Sequence, residues 1–274
     1  MIDAIQDLLD TISATASSMG QNSGLLQDLN GWNASLANFS NAIATNIVLP
    51  IALVVLALFW ILEFYNAFMR SSAGGGGSST FMLLNLFQSF IKMALCLWAV
   101  QNSTIILNAL FGISAQITSG ISGIVSSGQV TNTIDSSSLS ELEGHFFQQL
   151  GVNLTLQAVN MIIKGISIVV NTLVAARFIE LYVYNAFAAI PITTLCYQEL
   201  HNVGIGFLKN YAGVAIQGSI LYLVIGFYPA LAASIGGGTG DILDQSWALL
   251  GNSVILLVAM IMSSRFAKAI TSSV

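Results

Sequence analysis

Five charged side chains stand inside long apolar stretches of this sequence: Glu63, Lys92, Lys164, Arg177 and Glu180. Their chemistry calls for a partner. An isolated charge at mid-bilayer costs roughly 2.5–3.5 kcal/mol on insertion scales, so such groups pair or turn toward protein or water. Arg177 and Glu180 are three residues apart, a spacing that puts both on one face of a helix within pairing reach. The pair either holds two membrane helices in register or lines a polar path or a subunit contact. Glu63 and Lys92 fall at comparable depth on two consecutive apolar segments, where they can neutralise one another, although a lysine can also snorkel to the interface. Lys164 is a further intramembrane charge in the tract that holds Arg177 and Glu180.

Other chemistry has no residues to carry it. His145 lacks Cys, Asp or His neighbours at ligand spacing, so no metal site is expected. Cys96 and Cys196 sit in or beside apolar runs and share no metal spacing; they read as two packed thiols rather than a disulfide. The glycine run 74–77 is not followed by the Gly-Lys-Ser/Thr of a phosphate loop. No Ser-His-Asp arrangement is supported by spacing. The expectation is a protein that is not an enzyme and holds no cofactor, with a separate ATPase supplying any work.

The elements that must position these charges are membrane helices. Only 7% of the 274 residues are charged, 55% are hydrophobic, and mean hydropathy is +0.81. A soluble domain carries about 25% charged residues. A net charge of −5 argues against a basic surface for nucleic acid. Residues 1–45 read as an extracytoplasmic amphipathic arm, because Ile2, Ile5, Leu9 and Ile12 recur at helical spacing with Asp3, Asp7 and Asp10 largely opposite. They lack the basic start of a cleavable signal peptide.

Residues 46–274 read as the membrane domain. Its spans fall near 47–69, 81–100, one within 152–196, 211–235 and 247–264, with an outer segment at 101–151. Pro50 is placed in the first turn of its helix, where a missing N–H is tolerated. Arg70, Lys209, Arg265 and Lys268 mark cytoplasmic ends, whereas 1–45, 101–151 and 236–245 hold no basic residue and are assigned outside. The expected fold is therefore an all-α polytopic protein of the cell membrane with about five transmembrane helices. Its N-terminus lies outside and its C-terminus in the cytoplasm. A seven-span count, with 105–125 and both halves of 152–196 crossing, would demand a turn near Arg177 where no turn signal exists.

The run from Arg177 through Pro191, then Tyr197-Gln198-Glu199 and Gly213-Val214-Ala215-Ile216-Gln217-Gly218, resembles the VirB6/TrbL family of conjugation proteins. The pattern is R-F-I-E followed by aromatics, a proline, a short polar loop and a helix with A-x-Q-G, clearest over Arg177 to Pro229. The likeness is greatest to the shorter versions found in Gram-positive mobile elements. Family members are multi-pass inner-membrane subunits of type IV secretion systems. The resemblance implies a channel or scaffold on the translocation path for conjugative DNA or protein, embedded in the bilayer as a homo-oligomeric ring, pentameric on the family pattern. Implied partners are the secretion ATPases inside, a VirB5- or VirB8-like component outside, and translocated DNA in transient contact. In Gram-negative relatives the central outer loop contacts that DNA; here the segment is acidic, which speaks against direct contact. The alternative is a secondary transporter or ion channel using Glu63, Lys92, Arg177 and Glu180, but no internal repeat pairs two halves as transporters often do.

Overall fold

The computed structural model describes residues 2–22, 24–73, 79–127, 146–236 and 242–272. Ten α-helices follow one another among these residues, and no strand is present among them. They are α1 (Ile2–Asn22), α2 (Leu29–Trp32), α3 (Ala34–Ile43), α4 (Leu49–Ala73), α5 (Ser79–Gln101), α6 (Ser103–Ser127), α7 (Phe146–Phe187), α8 (Ala189–Thr193), α9 (His201–Gly236) and α10 (Ile242–Ser272). The all-α reading holds. Five stretches are long and apolar enough to cross a membrane: Ala34–Met69, Ser103–Val125, Phe146–Phe187, His201–Tyr228 and Asp244–Thr271.

Local chemistry explains the boundaries. Gly24 adopts a positive φ of 76°, a conformation that costs glycine little, and it separates α1 from the helices that follow. The Asp28 carboxylate caps α2 by accepting from Gly31 N–H at 2.6 Å, and the Asn33 amide oxygen caps α3 through Leu36 N–H at 3.1 Å. Pro50 sits in the first turn of α4, as the sequence suggested, but α4 does not start afresh there. It lies inside a helical run that begins at Ala34, and the run passes through a π-turn at Ala44–Val48 just before it. A proline removes one i→i−4 bond and crowds the carbonyl of residue i−4; widening the ladder upstream, with Leu49 N–H bonded to Ala44 C=O, accommodates both.

The tract 152–196 also resolves. Phe146–Phe187 is one unbroken helix, with no turn at Arg177, and α8 and a 3₁₀ turn (Thr194–Cys196) follow it. At 1.5 Å per residue the 42 residues of α7 run about 63 Å, twice the hydrocarbon thickness of a bilayer. Between α5 and α6 only Asn102 leaves the helix. Helical bonds run into and out of it, from Asn102 N–H to Trp98 C=O at 3.0 Å and from Ile106 N–H to Asn102 C=O at 3.1 Å. Helical hydrogen bonding therefore continues through Asn102.

The chain forms two compact units. The first comprises Met1–Gln27, Ser114–Arg177 and Ile216–Ala269. Its α7 portion buries Val152, Leu156, Val159, Ile163, Ile166, Val170 and Val174, a 4–3 spacing that makes one continuous stripe. Ile5, Leu9, Ile12 and Met19 of α1 are buried too, while Asp3, Asp7 and Asp10 are exposed, so α1 is amphipathic in the sense read from sequence. Within the same unit α6 lies along α9. Thr118 Oγ1 is 2.8 Å from Ser219 Oγ, the Ser219 hydroxyl donates to Ser114 C=O at 3.2 Å, and Tyr222 OH donates to Ser122 Oγ at 3.1 Å. Ser114, Thr118 and Ser122 recur every fourth residue, a small polar stripe that allows close helix approach.

The second unit comprises Asp28–Ile113, Phe178–Ala215 and Ile270–Val274. Here α4 packs on α5, and α8 packs on both. The outward face of α4 is a stripe of exposed Ile51, Val54, Leu58, Ile61 and Tyr65, whereas Ala52 and Leu56 are buried, as is Val48 of the π-turn before them. An apolar stripe of this extent turned outward suits lipid or protein rather than water. The α2–α3 arm is pinned to the end of α7. Trp32 stacks on Phe178 with ring centroids 4.7 Å apart, Tyr182 OH donates to Leu29 C=O at 2.6 Å, Ser40 donates to Tyr182 C=O at 2.7 Å, and Asn185 donates to Asn41 Oδ1 at 2.8 Å.

Candidate functional site: a paired charge over a polar cavity

In the second unit the fifteenth residue of α4 meets the fourteenth of α5. Lys92 Nζ is 3.0 Å from Glu63 Oε1, a hydrogen-bonded ion pair. Its two partners differ in environment. The Glu63 side chain is 15% exposed and that of Lys92 42%. The second carboxylate oxygen, Glu63 Oε2, is buried with no hydrogen-bond partner among the described residues. Pairing spares each partner the cost of a lone charge in an apolar segment.

A cavity of about 500 Å³ adjoins the pair. Glu63, Ala67, Gln88, Ser89 and Lys92 form the wall from α4 and α5, and Leu195 and Gln198 of the connection between α8 and α9, with His201 and Asn202 of the first turn of α9, form the other wall. Two contacts hold that connection in place. Tyr197 stacks on Phe59 of α4 with centroids 5.7 Å apart, and Cys196 is disulfide-bonded to Cys96 of α5 with Cα atoms 6.0 Å apart. The disulfide corrects the reading of two packed thiols. One hundred residues separate the cysteines, and only the fold of α8 onto α5 brings them together. The His201 ring nitrogen Nδ1 lies 3.1 Å from Leu195 C=O, fixing that side chain at the rim. A hydrogen bond to Glu199 favours the neutral phenol of Tyr197 and, with burial, raises its pKa above the usual tyrosine value.

Arg177 occupies the first unit and a different environment. It is 2% exposed, and its guanidinium covers Gly218 so closely that a β-carbon there would overlap Nη1 and lie 2.7 Å from Nη2. Glu180, one helical turn on, is exposed, as is Lys164. The three charges of α7 are thus one buried cation and two exposed groups. Glu63 and Lys92 are brought into contact; Arg177 and Glu180 share a helix but end in unlike surroundings. What the sequence reading overlooked is the role of the residues between and after them. Phe178, Tyr182 and Asn185 anchor the α2–α3 arm, and the aromatic and amide types within an apolar helix are the signal that pointed there. Among the described residues no group of three or more His, Cys, Asp or Glu could hold a metal.

A family model described as TrbL/VirB6 plasmid conjugal transfer-like protein matches residues 15–189. The chain belongs to this family. The match covers the region from α1 to the start of α8 and reaches only the first part of the Arg177–Pro229 stretch, so the likeness to the family is broader toward the N-terminus than the sequence pattern alone suggested. No curated protein and no solved structure matches the chain. As a TrbL/VirB6 member with five apolar helices it is a multi-pass membrane protein and a conjugation subunit of the type IV secretion class, a class that works in association with other secretion components.

Proposed function

We propose that this TrbL/VirB6 protein is a membrane-embedded channel or scaffold subunit on the inner-membrane translocation path for conjugative DNA or protein, without catalytic activity of its own. The observation that carries this reading is the family match over 15–189. The fold supports it: helices such as α7 outrun the bilayer and can reach components on either side. Exposed apolar faces on α4, α5 and α10 suit further copies of the chain in a ring. Secretion ATPases inside and a VirB5- or VirB8-like component outside complete the assembly, with any DNA contact transient.

In this reading the chain crosses five times, with the N-terminus outside and the C-terminus in the cytoplasm, on the distribution of its basic residues. We read α5 and α6 together as one crossing, because that keeps Arg70, Lys209, Arg265 and Lys268 on the cytoplasmic side. Ser126 to Glu143 then follows outside; residues 128–145 lie outside the described part. A Ser137→Cys chain in intact cells should react with a membrane-impermeant thiol reagent without lysis. Reaction only after lysis would place the segment in the cytoplasm and refute this topology.

Transfer itself is tested in a donor strain. Deleting the chain should abolish conjugative transfer, the wild-type copy should restore it, and cross-linking in native membranes should yield a ladder of homo-oligomers. Unchanged transfer after deletion would refute the secretion role.

A further inference from the structure

We propose that the cavity beside Glu63 and Lys92 binds the headgroup of an aminophospholipid, a phosphodiester and a primary ammonium joined by a short linker. The lining carries one anion and one cation and is otherwise uncharged, which matches a ligand of both signs better than an anionic one. Glu63 lines the cavity and shares its carboxylate with a single lysine that is itself 42% exposed, so a primary ammonium in the cavity meets an attractive negative charge. Lys92 spends one N–H on Glu63 and has two more for a phosphate oxygen, and Ser89 lies on the same wall. With Nδ1 donating to Leu195 C=O, the other His201 nitrogen is an acceptor for the ammonium.

Size and surroundings point to a lipid rather than a free zwitterion. About 500 Å³ falls within the range of small-ligand sites. The wall residues alternate with outward apolar side chains: Leu62 precedes Glu63, Phe87 precedes Gln88, Ile91 precedes Lys92, and all three are exposed. Acyl chains can lie along these faces of α4 and α5 while the headgroup enters the cavity. Disulfide-bonded Cys196 holds the opposite wall in place.

The test reconstitutes the purified, oxidised chain in vesicles of equimolar phosphatidylethanolamine and phosphatidylglycerol and measures the lipids that stay bound by native mass spectrometry. Wild type should retain the ethanolamine lipid about tenfold over the glycerol lipid, the yield of one hydrogen bond to a charged group. Glu63→Gln and Lys92→Met should each bring retention to the bulk ratio. Asn202→Leu, at the exposed rim and so no threat to folding, should at least halve the preference. Phosphatidylcholine, which has charge but no N–H donor, should not substitute. Bulk-ratio retention by wild type, or an unchanged preference in all three variants, would overturn the proposal. Displacement by soluble phosphoethanolamine at the lipid's own concentration would make the free zwitterion the ligand and overturn the lipid assignment.

Discussion

Glu63–Lys92 and Arg177 are both charges inside apolar sequence, and the protein treats them in opposite ways. The first is an ion pair at the edge of an open cavity, with the lysine almost half exposed. The second is a cation sealed at 2% exposure against the backbone of Gly218. A buried guanidinium fitted to a glycine leaves no room for a ligand and little for change, which marks it as part of the framework. An ion pair that lines a cavity, with its lysine partly open and two N–H groups beyond the one given to Glu63, keeps hydrogen-bonding capacity in reserve, which marks it as a place where something binds. Charge within a membrane helix is therefore not one signal but two, separated by what surrounds it.

Perturbations should divide along that line. Removing the covalent brace of the open site is expected to have the largest effect on stability. Cys96→Ser or Cys196→Ser opens a loop of 100 residues, worth about 4.7 kcal/mol in the chain-entropy account, and thermal unfolding in detergent should shift down accordingly. A shift no larger than that of a surface substitution would mean the bond does not brace the site. Gly218→Ala comes next, because its β-carbon collides with the Arg177 guanidinium. Overpacking should cost roughly 1–3 kcal/mol and lower membrane abundance. Arg177→Met should relieve that clash, so the double variant should regain part of the loss; simple additivity would mean that the two residues do not meet.

Glu180→Gln and Lys164→Ala, both at exposed positions, should stay within about 0.5 kcal/mol of wild type in the same assay. If Glu180→Gln instead matches Arg177→Met, the two act as the pair that their spacing allows.

Much of this was legible in the sequence. Low charge content and apolar windows announced an all-helical membrane chain, the Ile and Leu spacing of residues 2–12 announced an amphipathic α1, and the absence of a turn signal near Arg177 matches the unbroken α7. The Glu63–Lys92 contact could be anticipated because the two residues sit on neighbouring segments at similar depth. The disulfide could not, since it depends on where α8 folds after a helix of 42 residues. The environment of Arg177 was equally hidden, because helical spacing names neighbours on the same helix and says nothing of a glycine 41 positions on that leaves space for a guanidinium. The continuity of α3 with α4 was hidden for a related reason: a π-turn lets a helical run continue up to a proline, and no residue type announces a π-turn.

Transfer frequency and protein abundance, measured together in one donor strain, test the division between framework and binding site most directly. The account predicts that Gly218→Ala lowers abundance and transfer in proportion. It predicts that the Glu63→Gln, Lys92→Met double variant keeps close to wild-type abundance and still loses transfer by about tenfold or more, the cost of one lost interaction with a charged group. A double variant that transfers at the wild-type rate, or one whose transfer falls only as far as its abundance, would contradict it.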